Sequence, residues 1–143
     1  MGTTMSQMQA EAGTFSGATR DGVRWILRLE GLAAFLAAVL AYRWLDAGWI
    51  RFALLFLIPD LSMLGYLAGG RSGAAAYNAV HTYIGPGLLA GLGLWGGFTT
   101  ALPVAAIWVA HIGFDRILGY GLKYDRGFSF THLGLIGKAR AGA

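Results

Sequence analysis

Cysteine is missing from this chain of 143 residues. Disulfides, thiolate metal sites, iron–sulfur clusters and a thiol nucleophile are therefore excluded, and the redox compartment is left undecided. Charge is also scarce. Only 13% of the residues are Asp, Glu, Lys or Arg, about half the share of an ordinary soluble domain. The chain has no glycine-rich phosphate loop, no G-x-S-x-G elbow, no H-E-x-x-H pair and no patterned basic surface that would read nucleic acid.

What is present is apolar. Hydrophobic residues make up 56% of the chain and its mean hydropathy is +0.56. They fall in blocks long enough to cross a bilayer, which predicts an integral membrane protein. The formal net charge of +4 does not imply nucleic acid, because the basic residues flank the apolar blocks, where they set topology.

Residues 1–23 are polar and rich in Gly, Ser and Thr. They lack the apolar centre of a signal peptide and are expected to be a disordered tail. Their opening MGTTMS matches the myristoylation pattern. Spans are expected at 25–45, 50–68, 74–95 and 99–122, giving an all-α, four-transmembrane-helix bundle over 24–123. Ala33, Ala37 and Ala41 form one small-residue row on the first span and Ala34 and Ala38 another; such rows let helices approach closely in lipid. Pro59 strains the second span, Pro86 bends the third just after His81, and Pro103 sits in the first turns of the fourth, where proline is tolerated. Residues 124–143, aromatic and basic, are expected at the membrane surface, with His132 able to fold back toward the helix ends and Lys138 and Arg140 closing the tail. Four spans put both termini on one side. That side receives nine of the eleven Lys and Arg residues, against Arg43 and Arg51 on the other, so both termini are expected in the cytoplasm.

The ionisable residues inside the spans lie at similar depth. At a rise of ~1.5 Å per residue, Glu30 lies ~8 Å from the cytoplasmic end of its span, Asp60 ~12 Å, His81 ~11 Å, His111 ~16 Å and Asp115 ~10 Å. All five fall in the inner half of a core ~30 Å thick. One unpaired charge at that depth costs at least ~2.5–3.5 kcal/mol. These groups must therefore face one another, water or a metal, and a shared polar pocket within the bundle is the economical arrangement. His111 and Asp115 are four residues apart, one turn on one helix face, and make a two-point ligand set for a divalent ion or an acid/base pair.

Asp60, His81, His111 and Asp115 are thus candidate metal ligands, with zinc or manganese the expected ion. The competing readings are a hydrogen-bond network that glues helices and a proton or ion relay. Tyr77 and Asn78 share the His81 face and are expected to orient it. Glu30 or Asp115 is the candidate acceptor of a proton from metal-bound water, and His132 a candidate acid. Arg116 is expected to snorkel to headgroups. His81 and His111 on different helices could also clasp a haem or chlorin from both sides.

Three stretches carry a resemblance: PDLSMLGYL from Pro59, YNAVHTY from Tyr77, and HIGFDRILGYGLKY from His111. With LRLEG from Leu27 and THLG from Thr131 they resemble the small bacterial membrane proteins catalogued as domain of unknown function family 4260, over about residues 24–137. That resemblance implies a four-helix membrane fold in the bacterial inner membrane and no established activity. Pro59-Asp60, His81 and His111-x-x-x-Asp115 also resemble, in order, the motifs of LexA-regulated membrane-bound metal-dependent hydrolases, with Ser62 where those have a second aspartate and a single histidine in the middle motif. The expected function is metal-assisted hydrolysis of an amphiphilic, lipid-like substrate at the cytoplasmic face. The alternative is a non-enzymatic subunit of a larger membrane complex or homo-oligomer.

Overall fold

The computed structural model describes residues 4–7 and 21–137, and over these the protein is mostly helical. The tail expected over 1–23, its myristoylation pattern and the closing Lys138 and Arg140 fall largely or wholly outside the described residues. Helix α1 runs Asp21–Trp44. Helix α2, Trp49–Phe56, continues into a 3-10 segment, Ile58–Ala68. Helices α3 and α4 cover Gly70–Val80 and Ile84–Trp95, and α5 covers Ala101–Leu118. A two-residue antiparallel pair, β1 (Phe130–Thr131) with β2 (Gly134–Leu135), closes the described fold.

Among the described residues, three stretches are long and apolar enough to cross a membrane: Asp21–Trp44, Trp49–Ala68 and Ala101–Leu118. The expected third span, 74–95, is not one continuous helix. Pro86 has no N–H to bond the Thr82 carbonyl, and its ring would clash there. The helix therefore stops at Val80 and restarts at Ile84, where Pro86 sits harmlessly in the first turn. Exposed backbone at membrane depth must be satisfied by protein. Trp108 Nε1 donates to the Val80 carbonyl at 2.7 Å, and the Arg116 guanidinium donates to the His81 carbonyl at 3.2 Å. Arg116 thus seals the break rather than snorkelling.

Pro59 acts more broadly than a local kink. The α-helix ends at Phe56, and the following eleven residues wind as 3-10 helix. Runs of that length are uncommon, and they often mark a functional place.

Helix α5 is the hub: α1, α2 and α4 all pack on it, while α3 packs on the 3-10 segment. Its buried residues include small ones (Ala105, Ala106, Ala110 and Gly113) together with Ile107, Ile112 and His111. The crossing with α1 is backbone-close. A Cβ on Gly113 would stand 2.7 Å from the Gly31 carbonyl oxygen and from the Phe35 nitrogen. Gly31 answers it, pressed against the Arg116 Cβ. Of the two alanine rows on α1, Ala34 and Ala38 turn inward, and Ala33, Ala37 and Ala41 are exposed.

The described residues after α5 fold into a cap that contains the short antiparallel pair. Gly119 ends α5 in the left-handed conformation. Phe130, Thr131, Leu133 and Ile136 are buried. His132 does fold back: its amide donates to the Leu122 carbonyl at 3.1 Å, and its Nδ1 accepts from the Leu122 amide at 2.9 Å.

Candidate metal centre

Four side chains converge from three elements. His111 and Asp115 come from α5, one turn apart. His81 sits at the C-cap of α3, where the chain breaks. Asp60 follows Pro59 at the start of the 3-10 segment. One ligand atom from each lies within 4.8 Å of all the others. The two Nε2 atoms are 3.2 Å apart. His81 Nε2 is 3.7 Å from Asp60 Oδ1 and 3.5 Å from Asp115 Oδ2. His111 Nε2 is 3.5 Å and 3.8 Å from the same two oxygens.

These spacings suit an ion. Four donors held tetrahedrally at ~2.0–2.1 Å are ~3.3–3.4 Å from one another, so a small inward pull completes the site. The tautomers agree on one side. His81 Nδ1 lies 2.9 Å from the Tyr77 carbonyl and donates to it, which leaves the Nε2 lone pair facing the cluster. Its ring stacks on Tyr77 with centroids 3.7 Å apart. Tyr77 also donates its hydroxyl to Asp115 Oδ2 at 2.9 Å, so one tyrosine steadies two of the four ligands. The His111 ring packs edge-on against Phe56, and its buried Nδ1 has no hydrogen-bond partner. Both histidines are buried, whereas the Asp60 side chain is 33% exposed. A centre here would be sealed by imidazole on one side and reached by solvent or ligand past Asp60.

Asp60, Tyr77, His111 and Asp115 line a cavity of about 350 Å³ that also takes in Phe56, Met63 and Lys123. Lys123 lies in the HIGFDRILGYGLKY stretch, but its sequence position assigned it no role. Its backbone is clamped by Asn78, which donates to its carbonyl at 2.7 Å and accepts from its amide at 2.6 Å. Asn78 therefore positions Lys123 rather than His81. Burial pushes the Lys123 ammonium down to about 8, with the Asp115 carboxylate opposing that shift. His132 is lowered, chiefly by burial.

Glu30 and His132 are not in the cluster. Glu30 is exposed on α1, and His132 is held against Leu122 in the cap. A bis-histidine macrocycle does not fit the geometry. Axial bonds of about 2.0 Å on opposite faces need nitrogens about 4 Å apart with a flat ring between them, and here 3.2 Å separates them with two carboxylates alongside.

The match to a family model spans residues 24–136 and covers every element of the cluster. The chain belongs to the family described as Domain of unknown function (DUF4260). Among curated proteins, this DUF4260 chain is similar to the probable multidrug resistance protein NorM of Burkholderia mallei (strain ATCC 23344) and of Burkholderia pseudomallei (strain K96243). It is 35% identical to each over 109 residues, 65% of this chain and 23% of each of those proteins. The chain thus spans under a quarter of the length of the relatives it matches. No solved structure matches it.

Proposed function

We propose that this DUF4260 chain is a four-span inner-membrane protein with cytoplasmic termini, α3 and α4 together making the third crossing. In this reading Asp60, His81, His111 and Asp115 hold one zinc or manganese ion that serves hydrolysis of an amphiphilic substrate. The observation that carries it is the convergence of two imidazole nitrogens, 3.2 Å apart, with two carboxylate oxygens from separate elements. A two-histidine, two-carboxylate set suits a borderline divalent ion.

The bound ion would lower the pKa of a coordinated water so that hydroxide forms near neutral pH. The residues do the rest. Asp115, whose Oδ2 accepts from the Tyr77 hydroxyl, would help to hold the ion and would take the proton from the attacking water. Hydrolysis would join the water oxygen to the acyl or phosphoryl centre as the ester bond breaks, and Asp115 would return the proton to the leaving oxygen. Asp60 stands at the open edge of the cluster, where substrate enters. Glu30 and His132, outside the cluster, are left without a part in this step.

The test is turnover of chromogenic alkyl esters and phosphoesters by purified protein loaded with zinc or manganese. The expected result is hydrolysis that Asp115→Asn, which alters both a ligand and the proton acceptor, lowers ~100-fold or more. Stoichiometric metal without any turnover would favour a structural ion in a subunit of a larger complex. A part in multidrug resistance, to which the NorM name points, rests on similarity to 23% of that protein's length and draws on no feature of the cluster.

A further inference from the structure

Lys123 is only 4% exposed, and its Nζ is buried with no hydrogen-bond partner. Three aromatic rings surround the ammonium: Phe128 at 4.0 Å, Tyr77 at 4.9 Å and Tyr120 at 5.7 Å. Their faces favour a cation, but they leave its three N–H donors without the strong acceptors that a buried charge requires. The residue is held in place deliberately. Asn78 bonds both of its backbone groups, and Lys123 pairs with Thr131 of the cap.

Charge balance points the same way. With a divalent ion bound, the two carboxylates would be cancelled and two neutral histidines would add nothing, so Lys123 would remain an uncompensated positive charge on the wall of the same cavity. Arg116 is turned away toward the His81 carbonyl and does not share the role. The cavity therefore lacks an anion with enough oxygens to meet the ion and the ammonium together. A phosphoryl group has them, since three oxygens diverge from one phosphorus, whereas a carboxylate offers two in one plane. Leu57 and Leu118 also line the cavity and are 62% and 49% exposed on spanning segments. An alkyl tail leaving the cavity past them would enter lipid.

We propose that Lys123 anchors the phosphoryl group of the ligand bound in this cavity. The proposal rests on the metal-centre reading, whose test is separate. Full-length protein in neutral maltoside micelles, loaded with manganese, is titrated calorimetrically with octyl phosphate, inorganic phosphate and octanoate. Metal content is measured on the same samples. Octyl phosphate is expected to bind. Lys123→Met should weaken it about tenfold or more, the loss of a charge-assisted contact, with metal content unchanged and melting temperature not lowered, and Lys123→Arg should restore most of the affinity. If the methionine variant does not fold, Lys123→Gln is read in the same way. Equal binding of inorganic and octyl phosphate would keep the anchor and make free phosphate the ligand; tighter octyl phosphate would make it a headgroup. Binding by the methionine variant within about twofold of the native protein, or octanoate binding as tightly as octyl phosphate, would overturn the proposal. Loss of manganese from the native protein would instead overturn the metal centre.

Discussion

Two cavities lie back to back against the same elements, and they differ in kind. One, of about 410 Å³, is walled by apolar residues such as Leu55, Pro59, Val104 and Ile107, with Ser62 as an exception. The other, of about 350 Å³, holds Asp60, His111, Asp115 and Lys123. Residues 55, 58, 59 and 62 face the first, and 56, 57, 60 and 63 face the second. On α5, Val104, Ile107 and Trp108 turn to the first, and His111, Phe114 and Asp115 to the second. Polarity is thus gathered by helix face and not spread through the bundle. A lipid-soluble protein can keep several ionisable groups only by collecting them this way. The apolar cavity shows what the other face of the same elements builds.

The contrast makes its sharpest prediction at His111. Truncation to alanine should remove metal from the polar cavity, with affinity falling ~100-fold or more in an elemental titration. Ile107→Ala, one turn away and lining the dry cavity, should cost stability and leave metal affinity in place. Equal loss in both variants would break the distinction.

Gly113→Ala should act on both cavities alike, because the new Cβ meets the α1 backbone at 2.7 Å. Overpacking of that kind costs roughly 1–3 kcal/mol, which a denaturation curve in detergent would show as a lower midpoint. Neutral behaviour would mean that α1 is not seated on α5 as described.

A smaller effect belongs to Lys123. Its folded-state pKa, near 8, lies below the usual lysine range. Between about pH 8 and about pH 10.4 the unfolded chain binds more protons, so stability rises with pH across that window and is flat below it. Metal-free protein should show this slope in thermal melts, and Lys123→Met should abolish it. The smallest effect is expected in the dry cavity. The Ser62 hydroxyl is buried without a hydrogen-bond partner, so Ser62→Ala should be neutral or should raise stability by up to about 1 kcal/mol, with no change in metal binding.

The convergence of these four side chains was legible in the sequence because depth is legible. His111 and Asp115 announce a shared face by their spacing, and Asp60 and His81 announce equal depth by their distance from span ends. The break after His81 could be read from Pro86, although a bend was expected and a full interruption of α3 and α4 is found. The tie between Asn78 and the Lys123 backbone spans 45 residues, and no local pattern encodes it. The same holds for Arg116 reaching the His81 carbonyl and Tyr77 reaching Asp115. The two alanine rows on α1 were equivalent as sequence. Only the position of Gly31 against Gly113 decides that the Ala34 and Ala38 side faces inward.

The central claim is that four side chains from three elements enclose one divalent ion. Metal-edge X-ray absorption on zinc-loaded, detergent-purified protein tests it most directly. The account predicts one equivalent of zinc with mixed nitrogen and oxygen donors at ~2.0–2.1 Å, an imidazole scattering signature from two histidines, and loss of that signature in His81→Ala and His111→Ala. Zinc that stays substoichiometric at saturating concentration, or a spectrum unchanged by either substitution, would contradict it.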